Sequence, residues 1–265
     1  MGTAIKSAKK SISRFASNKF LFEELVKRDF EHKYKRTVLG MAWSVLSPLL
    51  TLLVMKLVFT QFFGRTTPHY TIYLFAGNIV MAYFKEATNN GMTSMISNAS
   101  VINKINVPKY LFLFSKNVSS LVNFGLTLIV FFLFCIFDGI TFRVSFLMLI
   151  YPILCLVIMN IGIGMVLSAL YVFFRDVKYL YSVFLTLLTY LSAIFYTVDR
   201  FPEFAQRLFL LNPVYVIIKY IRMIVIDGII PSPQYHLLCL LYAVLFACLG
   251  AFFYKRYNRK FVYYF

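Results

Sequence analysis

The residue types that carry catalytic or nucleotide chemistry are scattered along this sequence and form no known motif. No G-x-x-x-x-G-K-[ST] run occurs among the 265 residues, so the chain has no phosphate loop of its own for ATP. Gly162 and Gly164 lack the strand and third glycine of a dinucleotide site, and we interpret them as small residues for close helix packing. No cluster of histidine, cysteine and carboxylate residues indicates a catalytic centre. The sequence therefore predicts a non-enzyme with no catalytic residue, metal ligand or cofactor in this chain.

Charged residues inside long apolar runs are the sharper chemical signal. Lys85 and Glu86 are adjacent in one such run, and Lys56 lies in another. Because charge is expensive in lipid, we expect Lys85 and Glu86 at interior, water-accessible or interfacial positions. Adjacent residues point about 100° apart on a helix, so these two are not partners on one face. Lys56 either extends to the external headgroups or faces a polar conduit, and both interpretations stay open.

Aromatic residues are a second excess, at 19% of the chain with 30 Phe and 19 Tyr. Many are expected to face lipid or to form the interfacial belt. Aromatic faces also stack on sugar rings, so some would suit a pore for a glycan, although the sequence leaves open which of them face inward. With Lys85 and Glu86, the channel candidates are Tyr73, Phe75, Tyr83, Phe84, Tyr190, Phe195 and Tyr196.

The elements that must position these residues are membrane helices. Hydrophobic residues make up 60% of the chain and charged residues only 14%, whereas about a quarter of a soluble domain is charged. The net charge of +17 does not indicate nucleic-acid binding, because the bases cluster where they would orient a membrane protein. Ten of the 27 bases lie between Lys6 and Arg36, and four more follow Tyr254.

The pattern predicts an all-α integral membrane protein with six transmembrane helices. An amphipathic helix from Asn18 to about Tyr34 is expected to lie along the cytoplasmic membrane surface, within a basic segment 1–37. The transmembrane domain, 38–265, would contain two short pieces, 203–211 and 214–226, that are too short to span and re-enter the membrane in a region of about 201–232. The six predicted crossings are 38–63, 70 to the nineties, about 110–137, 144–174, 179–198 and 234–254.

The distribution of bases predicts the orientation. With the N-terminus inside, the cytoplasmic parts carry nineteen bases and the external parts six, with Lys56 and Lys85 inside spans. This asymmetry follows the positive-inside rule. Both termini are then cytoplasmic, which requires an even number of crossings.

Several runs in this sequence resemble those of one transporter family. The run from Glu24 to Tyr34 and the following TVLGMAWSVLSPLL at 37–50 resemble the start of polysaccharide-exporting ABC transporter permeases, which serve O-antigen, capsule and teichoic acid export. Three further runs, at 97–112, 174–180 and 190–215, also resemble that family. Together these runs cover most of the chain in the expected order.

The resemblance implies roles for particular segments. Residues 98–107 would form a coupling helix that docks on a separate ATPase subunit, and 201–226 would form an external gate. Two copies of this chain and two ATPase chains would make the exporter, with ATP and Mg bound by the ATPase. The ATPase-coupling residues implied are Asn98, Ala99, Ser100, Val101, Ile102, Asn103, Lys104, Arg175 and Asp176.

The bases of the N-terminal helix form a candidate substrate gate. They would attract the pyrophosphate of a lipid-linked glycan, or they would only contact anionic lipid and set the orientation; both remain open. These bases are Lys27, Arg28, Lys33, Lys35 and Arg36.

We therefore expect a permease subunit in the bacterial cytoplasmic (inner) membrane that exports a lipid-linked polysaccharide or a teichoic-acid-type polymer. A permease for a small lipid or drug could share this architecture. A membrane-embedded transferase is a further alternative, and it would need polar catalytic groups that the sequence does not offer. The type of polymer and its lipid carrier leave no readable mark.

Overall fold

The structure, a computed structural model, describes residues 18–34, 37–63, 69–104, 107–257 and 261. Over these residues the chain is helical and contains no strand. The predicted basic stretch 1–17 and the gate candidates Lys35 and Arg36 lie outside the described residues. The ten α-helices are α1 Lys19–Tyr34, α2 Trp43–Phe63, α3 Tyr70–Ser97, α4 Ala99–Ile102, α5 Tyr110–Phe137, α6 Ile150–Phe173, α7 Val177–Leu191, α8 Glu203–Phe209, α9 Pro213–Val225 and α10 Pro233–Tyr257.

Four helical stretches in the described residues are long and apolar enough to cross a membrane. They are Gly40–Phe59, Tyr110–Phe137, Val144–Phe173 and Pro233–Tyr257. The pair α8 and α9, bent by 104°, would add a fifth if it were one span. The six predicted crossings therefore stay a prediction.

The two remaining predicted crossings, α3 and α7, are not among the helices that are both long and apolar enough, and the reason differs between them. Helix α3 has 28 residues, which is ample length, but it carries polar residues such as Asn78 and Glu86 along its course. Helix α7 is apolar, but it ends at Leu191 instead of continuing to 198, so its 15 residues reach only about 22 Å.

Helix α3 is the centre of the bundle, and it packs against α2, α5, α6 and α9. Its buried residues run from Tyr70 to Met95 and point to all sides. Close approach to α6 depends on two glycines, because a Cβ added to Gly91 would lie 2.9 Å from the Cα of Gly164. Membrane helices approach this closely where both surfaces carry small residues.

Helix α10 packs on α6 through a second glycine contact. A Cβ added to Gly162 would lie 2.3 Å from the backbone oxygen of Phe246, and one added to Gly250 would lie 2.5 Å from the oxygen of Gly162. The prediction that Gly162 and Gly164 serve helix packing is therefore confirmed: Gly162 faces α10 and Gly164 faces α3.

The two ends of the bundle differ in character. We call the end with α1, α4 and Arg175 the charged end, and the end with Asp138 and α8 the opposite end. The predicted short pieces 203–211 and 214–226 are observed at the opposite end as α8 and α9. Helix α9 begins where the Asn212 side chain accepts hydrogen bonds from the Val214 and Tyr215 amides, with Pro213 in the first turn.

A buried arginine fixes helix α9 to two other parts of the bundle. The Arg222 side chain is 6% exposed and donates hydrogen bonds to the backbone oxygens of Tyr73, Ala193 and Ile194, at 2.9 to 3.2 Å. Its guanidinium also lies 3.4 Å from the centre of the Tyr73 ring. Ala193 adopts a positive φ of 49° just beyond α7, which turns its carbonyl away from the helical pattern. Arg222 thus holds the end of α7 against the start of α3.

The glycine contacts predict the effect of a single methyl group. Gly162→Ala places a Cβ against the backbone of α10, and this overpacking should cost about 1–3 kcal/mol of stability. The control is Gly125→Ala on α5, where an added Cβ meets nothing within 4 Å and helix propensity should rise by up to about 1 kcal/mol. Thermal stability of the detergent-solubilised chain, measured by size-exclusion chromatography after heating, should fall only for Gly162→Ala. Equal stability of the two variants would contradict the tight α6–α10 contact.

Candidate functional site at the charged end of the bundle

Helix α1 is fixed to α5 by one buried carboxylate. The side chain of Asp29 is only 5% exposed, and its oxygens accept hydrogen bonds from Lys116 Nζ at 3.1 Å and Arg28 Nη2 at 2.8 Å. The Ser115 hydroxyl donates a longer bond of 3.4 Å to the same carboxylate. A buried charge needs such paired partners, since removing one leaves the other uncompensated. Asp29 is therefore the docking residue of α1.

A second ion pair links α1 to α3. Lys33 Nζ lies 2.9 Å from both carboxylate oxygens of Glu86, and the Asn123 amide of α5 donates to the same two oxygens. Glu86 is thus one of the predicted interior charges, and it faces α1 and α5. Lys85 is partly buried on a different face of α3, as the predicted angle between the two requires.

The segment predicted to couple to an ATPase is linked directly to α1. Arg28 Nη2 donates a 2.8 Å hydrogen bond to Oδ1 of Asn98, and Nδ2 of Asn98 donates to the backbone oxygen of Ser94. Asn98 is buried at the junction of α3 and the four-residue helix α4. These two hydrogen bonds fix the angle at which α4 leaves α3.

The remaining residues predicted for coupling lie at the charged end. Ser100, Asn103 and Lys104 are exposed, whereas Ala99, Val101 and Ile102 are partly buried. Arg175 and Asp176 are exposed in the turn between α6 and α7, and the Arg175 guanidinium lies 5.4 Å from the Tyr171 ring centre. Both groups are therefore accessible at the same end of the bundle.

A small apolar cluster underlies this end. The buried side chains of Met95, Ala169 and Val172 pack with Phe261, which is fully buried. Phe261 also lies beneath Lys109, whose Nζ is 5.6 Å from the ring centre, and burial lowers the pKa of the Lys109 amine. The cluster ties the ends of α3 and α6 together next to α4.

The candidate gate bases fall into two groups. Lys27 has an exposed side chain, whereas Arg28 forms an ion pair with Asp29 and Lys33 forms one with Glu86. Arg28 and Lys33 thus help to fix α1 in place.

The channel candidates occupy three separate regions. Tyr83 and Glu86 line a groove between α2, α3 and α5, and Phe75 and Phe84 are buried in the core. The other four aromatic candidates gather at the opposite end. There the Tyr73 hydroxyl donates to the backbone oxygen of Tyr196, and the Tyr196 hydroxyl donates to the backbone oxygen of Tyr190. The Phe195 ring stacks on the Phe59 ring.

The described residues hold no cluster of three histidine, cysteine, aspartate or glutamate side chains that could bind a metal ion. Charge at this end is used for ion pairs between helices, and the exposed groups are those around α4 and the α6–α7 turn.

A comparison with known families covers most of the chain. Residues 21–226 match the family described as ABC-2 type transporter, a stretch that extends from α1 to the end of α9. The chain belongs to the ABC-2 type transporter family. The resemblance to ABC permeases predicted from the sequence is confirmed, and this ABC-2 transporter chain is a multi-pass membrane protein.

Individual relatives show which transport proteins within this family the chain is similar to. The chain is 29% identical over 228 residues to the O-antigen export system permease protein RfbA of Klebsiella pneumoniae, which covers 84% of this chain and 86% of the relative. It is 24% identical over 220 residues to the protein of the same name from Myxococcus xanthus, covering 81% and 83%. It is also 23% identical over 221 residues to the polysialic acid transport protein KpsM of Escherichia coli, covering 82% and 86%.

Three residues that organise this ABC-2 chain were not singled out from the sequence. Asp29 and Asn123 complete the ion-pair networks at the charged end, and Arg222 fixes the opposite end. A charged residue within the largely apolar run of α9 was the available signal for Arg222.

The docking of α1 predicts a specific sensitivity. Asp29→Ala leaves the part-exposed Lys116 and Arg28 without their carboxylate, and a hydrogen bond to a charged group contributes about 1.5–3 kcal/mol. We expect α1 to open, so that a cysteine placed at the buried Leu25 reacts with a maleimide about tenfold faster or more. Glu31→Ala, an exposed acid on the same helix, is the control, in a background where the exposed Cys248 is serine. Similar labelling rates in both variants would show that Asp29 does not hold α1.

Proposed function

We propose that this chain is the permease subunit of an ATP-driven exporter that moves a lipid-linked polysaccharide or teichoic-acid-type polymer across the cytoplasmic membrane. The likeness to O-antigen permeases and to a polysialic acid transport protein supports this substrate class, since it extends over about four fifths of the chain. The observation that carries the proposal is the family match from α1 to α9, together with an exposed α4 segment hydrogen-bonded to α1.

The proposed topology has six crossings with both termini in the cytoplasm. Helices α2, α3, α5, α6, α7 and α10 would cross, α1 would lie on the cytoplasmic surface, and α8 and α9 would enter the membrane from outside without crossing. The distribution of bases supports this orientation, with the charged end inside. The bend of 104° between α8 and α9 supports a re-entrant pair. The basic segment 1–37 would then precede a transmembrane domain 38–265.

ATP and Mg would be bound by a separate ATPase chain that docks at the charged end. Helix α4 with Asn103 and Lys104 would act as the coupling helix, and Arg175 and Asp176 would add to the docking surface. Their exposure supports this role. A movement of α4 would pass to α1 through the Arg28–Asn98 hydrogen bond and to α3 directly.

Two copies of this chain would form the conduit. Helix α7 supports a pairing role, because it packs only lightly on the bundle and leaves one apolar face exposed. The exposed residues of that face are Tyr179, Leu180, Val183, Phe184, Leu187 and Tyr190. The glycan would enter beside α1, where Lys27, Lys35 and Arg36 would attract its pyrophosphate while Arg28 and Lys33 hold the helix.

An export assay tests the substrate class. Deleting the gene in its own host should leave lipid-linked polymer inside the cell, because the polymer is made on the cytoplasmic side, and the wild-type gene should restore surface polymer. The measurement is the fraction of labelled polymer accessible to an added glycosidase in intact cells. Normal surface polymer in the deletion strain would favour the alternative, a permease for a small lipid or drug.

A substitution in α4 tests the ATPase interface. Ser100→Trp places a bulky side chain on the exposed surface of the coupling helix, and we expect the amount of ABC ATPase that copurifies with the tagged chain to fall by about tenfold. Ser232→Trp is the matched control, since Ser232 is also exposed but lies at the opposite end. An equal loss with both variants, or none with Ser100→Trp, would contradict docking at α4.

A further inference from the structure

A groove within a single chain opens between α2, α3 and α5, with Lys33 of α1 at its mouth. Its volume is about 490 Å³, within the range of about 300–1,000 Å³ that small-ligand sites occupy. The groove is separate from the exposed face of α7, so it does not depend on a second copy of the chain.

Polar side chains follow two helices along this groove at helical spacing. Positions three or four residues apart share one helix face, so each set forms a continuous stripe. The stripes are Ser44, Ser47 and Thr51 on α2 and Ser120, Asn123 and Thr127 on α5. Four of the six hydroxyl or amide groups, those of Ser44, Thr51, Ser120 and Thr127, donate to backbone oxygens three or four residues earlier in the chain, so the stripes present mainly acceptor lone pairs to the groove.

The charges in the groove balance within the chain. Glu86 accepts from Lys33 and from Asn123, so the carboxylate and the ammonium group neutralise each other at the mouth. Among the lining residues that the structure describes, Lys33 and Glu86 are the charged ones, so the lining gives an anion no net attraction. The lining therefore favours a neutral ligand over a phosphate.

Hydrogen-bonding capacity remains elsewhere along the groove. Within the part of the chain that the structure describes, no partner is found for the side-chain amide of Asn78 or the hydroxyl of Ser47. The hydroxyls of Thr51 and Thr127 donate to backbone oxygens of their own helices and keep their lone pairs as acceptors. Donors and acceptors thus alternate on an uncharged surface, which suits a ligand with several hydroxyl groups.

Aromatic rings complete the lining. Trp43 is 38% exposed and is the ring that the groove offers to a ligand. Tyr83 and Phe124 stack on each other behind it at a centroid distance of 4.5 Å and are buried. A sugar ring presents both apolar C–H faces and hydroxyl edges, so it matches the Trp43 ring beside hydroxyl and amide groups.

We propose that the groove between α2, α3 and α5 binds a neutral sugar residue within one chain. The inference rests on the proposed function, because an exported glycan or its lipid-linked form supplies the ligand. The site is distinct from Lys27, Lys35 and Arg36, the bases that are assigned to a pyrophosphate.

The only tryptophan of the sequence reports on this site. Because Trp43 is the single Trp in the chain and lies at the groove, its fluorescence can follow binding to the full-length protein in phosphatidylcholine nanodiscs. Three probes are titrated: maltotriose, octyl maltoside below its micelle concentration, and octyl phosphate as the anionic control. We expect a saturable change with one or both sugars. A response to maltotriose indicates that free sugar units reach the groove, and a response to octyl maltoside alone indicates a lipid-linked sugar.

Matched threonine variants separate the groove from general effects. Thr51 and Thr189 each donate to the carbonyl four residues before them, so replacement by valine makes the same local change in both helices, but only Thr51 lines the groove. The double variant Thr51→Val, Asn78→Leu should bind the sugar about tenfold more weakly, a factor expected from losing two neutral hydrogen bonds. Thr189→Val should bind like wild type.

Three results would overturn the proposal: no saturable change with either sugar, an equal response to octyl phosphate, or equal weakening by Thr189→Val. Binding is measured without ATP or export, so the outcome is independent of the export assay. A chain that exports polymer but gives no Trp43 response refutes the groove alone. A chain that binds sugar but leaves surface polymer unchanged on deletion refutes the exporter proposal.

Discussion

Hydrocarbon offers no hydrogen bonds, so a polar group at membrane depth has to find its partners within the protein, and this constraint shapes both ends of the bundle. At the opposite end the constraint acts on Arg222. Its donors are satisfied by three backbone carbonyls, two of which are available only because the chain leaves the helical pattern at Ala193. The need to satisfy the hydrogen-bond donors of one guanidinium therefore accounts for three features: the early end of α7, the position of α9 and the start of α3.

The same constraint acts through ion pairs at the charged end. Asp29 forms ion pairs with Lys116 and Arg28 and accepts a hydrogen bond from Ser115 of α5. Glu86 forms an ion pair with Lys33 and accepts from Asn123 of α5, and both carboxylates anchor α1. Helix α3 joins these features along one rigid element, since it carries Asn78 and Glu86 at the groove and leads directly to Asn98. Force applied at α4 would reach the groove and α1 through this single helix.

The sequence predicted most of the helices but not their partners. Long apolar runs and polar breaks located α1, α5, α6, α8, α9 and α10 to within a few residues, because those signals are local. The apolar runs also predicted crossings at 70 to the nineties and at 179–198, and these two stay predictions, since α3 carries polar residues and α7 ends at Leu191. Arg222 and Tyr73 are 149 positions apart, so nothing local indicated their contact. The regular spacing of the polar residues on α2 and α5 is visible in the sequence, but only the fold shows that both stripes face one groove.

Phe261 has a consequence for the order in which this protein is built. Ribosomes synthesise Phe261 after all ten helices, yet its ring fills the cluster that joins the ends of α3 and α6 beside α4. The underside of the α4 segment is therefore completed only after the last of these helices has been synthesised. A nascent chain that has already inserted its spans would still lack the Phe261 ring beneath the α4 segment. Membrane insertion would therefore precede completion of the surface at which the chain is proposed to assemble with its ATPase.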